Sequence, residues 1–390
     1  MRKLNVILIC YILIVLIAMC CVLYYHYSFS YKENDNKVNK EYKMNYFEYK
    51  VKNGEILIKE ENKKTKIKSL KITAVGDCTI GSDTNFGYTN SFFHYFDKNN
   101  GDYNYYLENV KNIFLDDDIT IINLEGTFTN SNNKVEKAFN FKSSPDYVNV
   151  LTKSSVEMAS FANNHAYDYG VEGYNETIDT LDKALIDHYG YTDYLIKEIN
   201  GIKVGFFGFL DIYGQRYNEV TKAINFLKEQ ECDLIIASMH WGIEGDYHQS
   251  NEQIKLGHYM IDNGVDLVLG SHPHLIQGIE KYNNKFIVYS MGNFLFGGNK
   301  NPRDKDTFIF QETFTFKNNE LQTDDNINII PTSLSSVSNT NNYQPTPLEG
   351  EEKDRVYNKI MQYSSGFDYV LEWYVKFSVN NDYKLIKILK

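Results

Sequence analysis

Cysteine, proline, tryptophan and basic charge are all scarce in this chain. Of 390 residues, five are cysteine, six proline and two tryptophan. Cys10, Cys20 and Cys21 fall inside one apolar run, which leaves Cys78 and Cys232 for everything beyond it. Two thiols beside expected strands are too few for a disulfide framework, so both read as small buried residues. Basic residues (40) are outnumbered by acidic ones (51), giving a formal net charge of −11. That balance argues against a nucleic-acid partner and against broad docking on an anionic membrane surface. It leaves room for an acidic substrate, because a bound metal reverses the field locally. The shortage of proline and alanine, with abundant Tyr, Asn, Ile and Lys, reads as low-GC coding rather than as function. No internal repeat is visible.

One long apolar run is present, from Val6 to Tyr24, preceded by Arg2 and Lys3. It is long enough to cross a bilayer as a helix. No Ala-x-Ala site follows it, and Met19 before Cys20 is too large for a lipoprotein box. An uncleaved signal-anchor is therefore expected, with the N-terminus in the cytoplasm and the chain from about Ser28 onward outside the cell. This is the pattern of a single-pass cell-membrane protein whose C-terminal domain is extracellular. Four segments follow: 1–27, N-terminus and transmembrane anchor; 28–67, a polar tether with one short strand near Glu55 to Ile58; 68–350, the globular domain; 351–390, strands that complete it.

Within the domain, apolar runs predict strands at Leu70 to Val75, Ile119 to Asn123, Met158 to Phe161, Val204 to Phe209, Leu234 to Ser238, Leu267 to Leu269, Phe286 to Tyr289 and Thr307 to Phe316. Several are continuously apolar, as for strands covered on both faces. Apolar spacing of three and four predicts helices over Tyr103 to Leu115, Glu172 to Ile186, Val220 to Glu229 and Glu252 to Asn263, the last stopped by Gly264. Asn318 to Glu349 is polar and turn-rich. Strands alternating with helices indicate an α/β domain.

Functional groups in open α/β sheets collect at the carboxyl ends of strands, and the notable side chains lie there. Asp77 closes Val75-Gly76-Asp77. Glu125 follows Ile122-Asn123-Leu124 and precedes a glycine that permits close approach. Asn163-Asn164-His165 follows the third strand; an amide oxygen can ligate a hard or borderline ion, and His165 can donate a proton or stabilise a transition state. His240 begins His-Trp-Gly-x-Glu, with Glu244 as a partner behind it. Gly270-Ser271-His272-Pro273-His274 follows the apolar run Val265 to Leu269. Extended geometry there would put His272 and His274 on one side. Ser290 and Asn293, in Ser-Met-Gly-Asn-Phe, could face the same place. His26, His94, His188, His248 and His258 have no comparable company. One Asp, one Glu, one Asn and four His at successive strand ends suit Mn, Fe or Zn, as one or two divalent ions. A metal-assisted hydrolase is the direct chemical inference.

The ordered set Gly-Asp, Asn-Leu-Glu, Asn-Asn-His, His-Trp-Gly-x-Glu, Gly-x-His-Pro-His and Ser-x-Gly-Asn-Phe resembles the CapA family of bacterial capsule synthesis proteins. That family is associated with poly-γ-glutamate capsule production and is related to calcineurin-like metallophosphoesterases. The resemblance covers about Leu70 to Gly350 and includes Ile330-Pro331-Thr332 and Asn342 to Pro347. It implies a calcineurin-like four-layer αββα sandwich. It further implies metal ligation by Asp77, Glu125, Asn164, His240, His272 and His274, with His165 as the neighbouring proton donor. The first motif departs from phosphoesterases: they carry Asp-x-His where this chain has Asp77-Cys78-Thr79, so one ion lacks a ligand. The implied function is a membrane-anchored component of poly-γ-glutamate capsule biosynthesis or export. Its partners would be other membrane components of the synthase and the anionic polymer. Two alternatives remain open: a cell-surface metal-dependent phosphodiesterase or phosphatase, and a non-catalytic assembly subunit.

Overall fold

The computed structural model describes residues 40–44, 47–52, 55–59, 65–322, 326–367, 375–379 and 382–386. The apolar run from Val6 to Tyr24 lies outside them. Among the described residues no helix is long and apolar enough to cross a membrane. The described residues before Thr65 belong to a unit of their own. Where the sequence suggests a tether with one short strand, three strands pair in an antiparallel meander, Lys40–Met44, Phe47–Lys52 and Glu55–Lys59.

The second unit begins at Thr65. Its main strands are β1 (Ile67–Thr79), β2 (Ile119–Leu124), β3 (Met158–Ser160), β4 (Asp187–Tyr189), β5 (Leu195–Ile199), β6 (Ile202–Asp211), β7 (Leu234–Trp241), β8 (Leu267–Ser271), β9 (Ile279–Tyr282), β10 (Lys285–Val288), β11 (Asn293–Phe296), β12 (Asp306–Lys317) and β13 (Ile327–Ser333). The first sheet runs β4-β3-β2-β1-β12-β13, with β11 alongside the end of β1. β1 to β4 are parallel, whereas β12 and β13 add antiparallel. The second sheet runs β5-β6-β7-β8-β10-β9, parallel in its centre and antiparallel at both edges.

Alternation along the strands sorts their side chains into layers. Ile72, Ala74 and Ile121 of the first sheet share one core with Val204, Phe206, Ile236 and Leu269 of the second. The opposite face of the first sheet, including Val75, Ile122 and Ala159, packs under α1 (Phe92–Lys98) and α2 (Gly170–Lys183). The outer face of the second, including Phe207, Ala237 and Val268, meets Val220, Ile224 and Leu227 of α3 (Tyr217–Glu229). Leu256 and Met260 of α4 (Asn251–Asp262) cover the rest of that face. The result is a mixed, sheet-rich α/β fold with helices outside two facing sheets.

α4 begins in a capping box made by Ser250 and Gln253 and stops at Gly264, whose φ is +100°. The helix expected over Tyr103 to Leu115 is broken into a 3-10 turn, Tyr103–Tyr106, and one helical turn, Lys111–Phe114. Here tertiary packing overrides local spacing: Tyr106 stacks on Phe92 at 4.2 Å, and the Tyr105 hydroxyl donates to the Asn342 carbonyl. The region expected as C-terminal strands opens instead with α5 (Gly350–Tyr363), which sends Val356 and Ile360 into the inter-sheet core. Strands Val375–Val379 and Asp382–Ile386 then pair with each other. β13 also interrupts the stretch read as turns.

Phe206 is fully buried between the sheets. Phe206→Ala is expected to lower the unfolding free energy by about 3–5 kcal/mol, measured by chemical denaturation. Val171→Ala, at a position 66% exposed, should stay within roughly 0.5 kcal/mol. Equal costs for the two would contradict the shared inter-sheet core.

Candidate functional site

Both sheets deliver polar side chains to one place. β1 continues past the expected end and carries Asp77 within it. This extension is possible because Gly76 lies against Gly292: a Cβ at Gly76 would stand 1.9 Å from the Gly292 carbonyl oxygen. That oxygen accepts the Asp77 N–H at 2.9 Å. Glu125 follows β2 and is tied back to β1 by its N–H donating to the Cys78 carbonyl at 3.0 Å. His240 lies inside β7, one strand from the end of β8.

The geometry past β8 differs from the extended segment that sequence suggests. His272 and His274 lie in a bend with φ of +97° and +60°. Proline does keep His272 out of helix, but the chain turns rather than extends. Positive φ at two non-glycine residues costs on the order of 1–3 kcal/mol each. Compensation comes from Asp77, whose Oδ2 accepts the His272 N–H at 3.3 Å and lies 3.1 Å from His274 Nδ1. The two rings remain neighbours, 6.0 Å between centroids.

Glu125 is the centre of the cluster. It is fully buried, and neither carboxylate oxygen has a hydrogen-bond partner. Its Oε1 is ringed by His240 Nε2 at 3.7 Å, His274 Nε2 at 3.8 Å and His165 Nε2 at 4.0 Å. These gaps are too long for hydrogen bonds. The His240 and His274 gaps match two donors sharing one ion, each about 2.0–2.2 Å from it. Asn164 Oδ1, His240 Nε2 and His272 Nδ1 are likewise buried and unpartnered. One ligand atom each from Asp77, Glu125 and His274 lies within 4.8 Å of the others.

The far sides of the rings orient them. His274 Nδ1 faces two acceptors, Asp77 Oδ2 and, at 2.9 Å, Asn293 Oδ1, so it carries a hydrogen and turns Nε2 toward Glu125. His165 Nδ1 faces Asp168 Oδ2 at 2.7 Å. His240 Nδ1 has Ser271 Oγ at 3.1 Å and Asn123 Nδ2 at 3.2 Å; donation to Ser271 is the tautomer that leaves Nε2 free.

The electrostatics follow from burial and proximity. Burial, opposed by the His274 charge and assisted by Asp77, holds the Glu125 carboxyl well above the usual range. Burial alone would depress His274, but Glu125 and Asp77 outweigh it and lift the imidazole to about 10. Burial and the neighbouring His274 push His272 down to about 4, and burial with the neighbouring His272 and His274 holds His240 well below 6.5. Burial also lowers His165, although Asp168 pulls the other way.

Six sequence-derived candidates thus converge, Asp77, Glu125, His165, His240, His272 and His274, and Asn164, next to His165, keeps a buried Oδ1 without a partner. Asn293 supports His274 as a partner. Ser290 is buried but uses its hydroxyl to accept the Gly292 N–H at 3.2 Å, so it shapes the turn. Glu244 does not stand behind His240; its Oε1 lies 4.0 Å from His272 Nδ1. Sequence reasoning missed three residues. Asn123 donates to Asp77 Oδ1 at 2.8 Å with its Nδ2 also 3.2 Å from His240 Nδ1, and the Asn163 amide donates to its oxygen at 3.1 Å. Asp168 is fully buried and also accepts from Lys137 at 2.5 Å. Asp168 stands three residues after His165, a legible local signal; Lys137 arrives from a remote loop and has none.

Fold and site together define a mixed α/β protein with a buried carboxylate, amide and imidazole cluster at its strand ends. The chain belongs to the family described as bacterial capsule synthesis protein PGA_cap, which it matches over residues 71–298. It is 30% identical over 210 residues to the PGA biosynthesis protein CapA of Bacillus subtilis (strain 168), covering 48% of this chain and 55% of that protein. It is 26% identical to the capsule biosynthesis protein CapA of Bacillus anthracis, covering 60% of each. A probable polyglutamine synthesis accessory protein of Mycobacterium tuberculosis is 27% identical over 208 residues and is covered to 55% of its length. The chain thus spans between half and two-thirds of these relatives. Among solved structures, a hypothetical protein from Thermus thermophilus aligns with a TM-score of 0.40 at 14% identity, covering 67% of this chain and 98% of that one.

In metal-free protein the His274 ring is expected to titrate near 10. Glu125→Gln should bring it down toward the ordinary value of about 6.5, followed by NMR of the imidazole protons. An unchanged midpoint would mean that the carboxylate does not set the charge of this ring.

Proposed function

We propose that this chain is a membrane-anchored accessory component of poly-γ-glutamate capsule synthesis or export. In this reading a calcineurin-like four-layer αββα sandwich carries a divalent-metal centre outside the cell, and the run Val6 to Tyr24 is the anchor. The observation that carries it is Glu125: a buried carboxylate with no hydrogen-bond partner, ringed by three imidazole nitrogens at 3.7 to 4.0 Å. Burying a carboxylate without a hydrogen-bond donor is costly, and a metal cation among these donors would offset that cost.

Asp77, Glu125 and His274, whose ligand atoms lie within 4.8 Å of one another, would hold one ion; Asn164, His240 and His272, each with a buried atom that has no hydrogen-bond partner, are the further candidate ligands. Mixed oxygen and nitrogen donors without thiolate suit Mn, Fe or Zn. A bound ion would supply electrophilic polarisation of an anionic or carbonyl oxygen. His165, held by Asp168, presents Nε2 to the same space and is the candidate proton carrier. This placement favours hydrolysis of a phosphoester or amide over passive holding of the polymer. The partners would be the other membrane components of the synthase and the anionic polymer itself. The names of the relatives in Bacillus and Mycobacterium support a role in capsule polymer synthesis, as does family membership.

Purified full-length protein is expected to contain Mn, Fe or Zn by elemental analysis. Asp77→Ala and His240→Ala should each lower metal content and cut polymer output more than about tenfold. Metal-free wild-type protein would remove the premise. Normal output from the double variant would leave a non-catalytic assembly subunit, and metal-dependent phosphoester turnover without any change in polymer would leave a surface phosphodiesterase.

The raised His274 and Glu125 set the sign of the pH dependence. Ligands must lose their protons before coordinating. His274, lifted to about 10, keeps its Nε2 proton through neutrality, so apparent metal affinity should rise as pH increases toward that value. Metal titrations at about pH 6 and pH 8 check this; equal or weaker binding at the higher pH would contradict it.

A further inference from the structure

Glu244 stands at the mouth of the cluster, 60% exposed, while the cluster behind it is buried. The loop leaving β7 bends at Gly242 and Gly245, with φ of +83° and +78°. Gly242 has no room for a side chain, since a Cβ would meet the Gln253 carboxamide at 2.7 Å. The Gly245 N–H then donates to the Pro273 carbonyl at 2.9 Å. Backbone alone therefore staples this loop to the His272-Pro273-His274 turn and delivers the carboxylate beside it.

Its neighbour is an unsatisfied donor atom. His272 is 5% exposed, and its Nδ1 has no hydrogen-bond partner. The 4.0 Å gap from Glu244 Oε1 to that nitrogen is too long for a hydrogen bond. It equals about twice a metal–donor distance of roughly 2.0–2.2 Å. One ligand atom each from Glu244, His272 and His274 falls within 4.8 Å of the others.

We infer that Glu244 is a direct metal ligand, closing the mouth side of the centre next to His272 and His274. This rests on the reading of the site as a metal centre. It adds a ligand to a set whose first motif, Asp77-Cys78-Thr79, brings no imidazole. It also makes Glu244 the third carboxylate of the set, after Asp77 and Glu125, which shifts the preference toward hard, oxygen-seeking ions such as Mn.

Full-length protein in detergent micelles, stripped of metal, is titrated with Mn(II) and the bound ion is counted by EPR. A partner behind a ligand costs about 10–100-fold in metal affinity when removed; loss of a ligand should exceed that range. Glu244→Gln and Glu244→Ala are expected to lose one ion per chain, or to weaken it more than about 100-fold. Glu244→His, which keeps a donor there, should recover it. The Co(II)-loaded protein should show a changed visible spectrum in Glu244→Gln. Glu244 is exposed, so these variants should fold like wild type, checked by thermal melting. If wild-type protein binds no ion, the metal-centre reading itself falls. Should wild type bind metal and Glu244→Gln bind it with an unchanged count and less than about a 100-fold loss, the ligand assignment alone is overturned.

Discussion

Everything at the strand ends is organised around one costly act, the burial of the Glu125 carboxylate without a hydrogen-bond donor. In a low-dielectric interior such a group must shift its protonation, find a cation or destabilise the fold. Here it is surrounded by imidazoles whose outer nitrogens are already committed to Asp77, Asn293, Asp168 and Ser271. Those commitments turn the inner nitrogens toward the carboxylate. The two sheets serve this arrangement by bringing β1 and β2 from one side and β7 and β8 from the other.

The backbone is bent to the same end. His272 and His274 adopt positive φ values, which a solvated polar loop would have no reason to keep. Asp77 answers both residues at once, through the His272 N–H and the His274 ring. Gly76 lets the Gly292 carbonyl approach, so that β1 and β11 lie side by side and carry Asp77 and Asn293 into register. Strain, close approach and a buried carboxylate without a hydrogen-bond donor thus coincide in one small volume, where local rules are expected to yield to function.

Much of the scaffold is legible in the residue pattern alone. Continuous apolar runs such as Leu234 to Ser238 suit strands covered on both faces, and each predicted strand is present. The two helices over the second sheet show in their spacing and, for α4, in the Gly264 stop. Short or irregular pieces do not: β4 and β11 lack a long enough pattern, β13 lies in a polar, turn-rich stretch, and no continuous helix forms over Tyr103 to Leu115 because aromatic stacking outweighs spacing. At the site, residue types and strand-end positions identify the six converging side chains and Asn164 beside them. Supporting partners such as Asn123 and Lys137 are invisible along the chain, since their value depends on which atoms they meet.

Sequence by itself determined the chemistry on offer: carboxylate, amide and imidazole at successive strand ends, no thiolate, a net acidic chain, and the order of motifs that marks the family. Those are properties of residue type and of a period-two backbone, so they can be read along the chain. Tertiary structure decided the rest. Only the packing of two sheets could put nitrogens from three separate segments around one oxygen of Glu125, move Glu244 from behind His240 to beside His272, and turn the His272-Pro273-His274 segment from extended to bent. Distances between remote segments depend on how sheets pack and how loops close, and no local pattern encodes them.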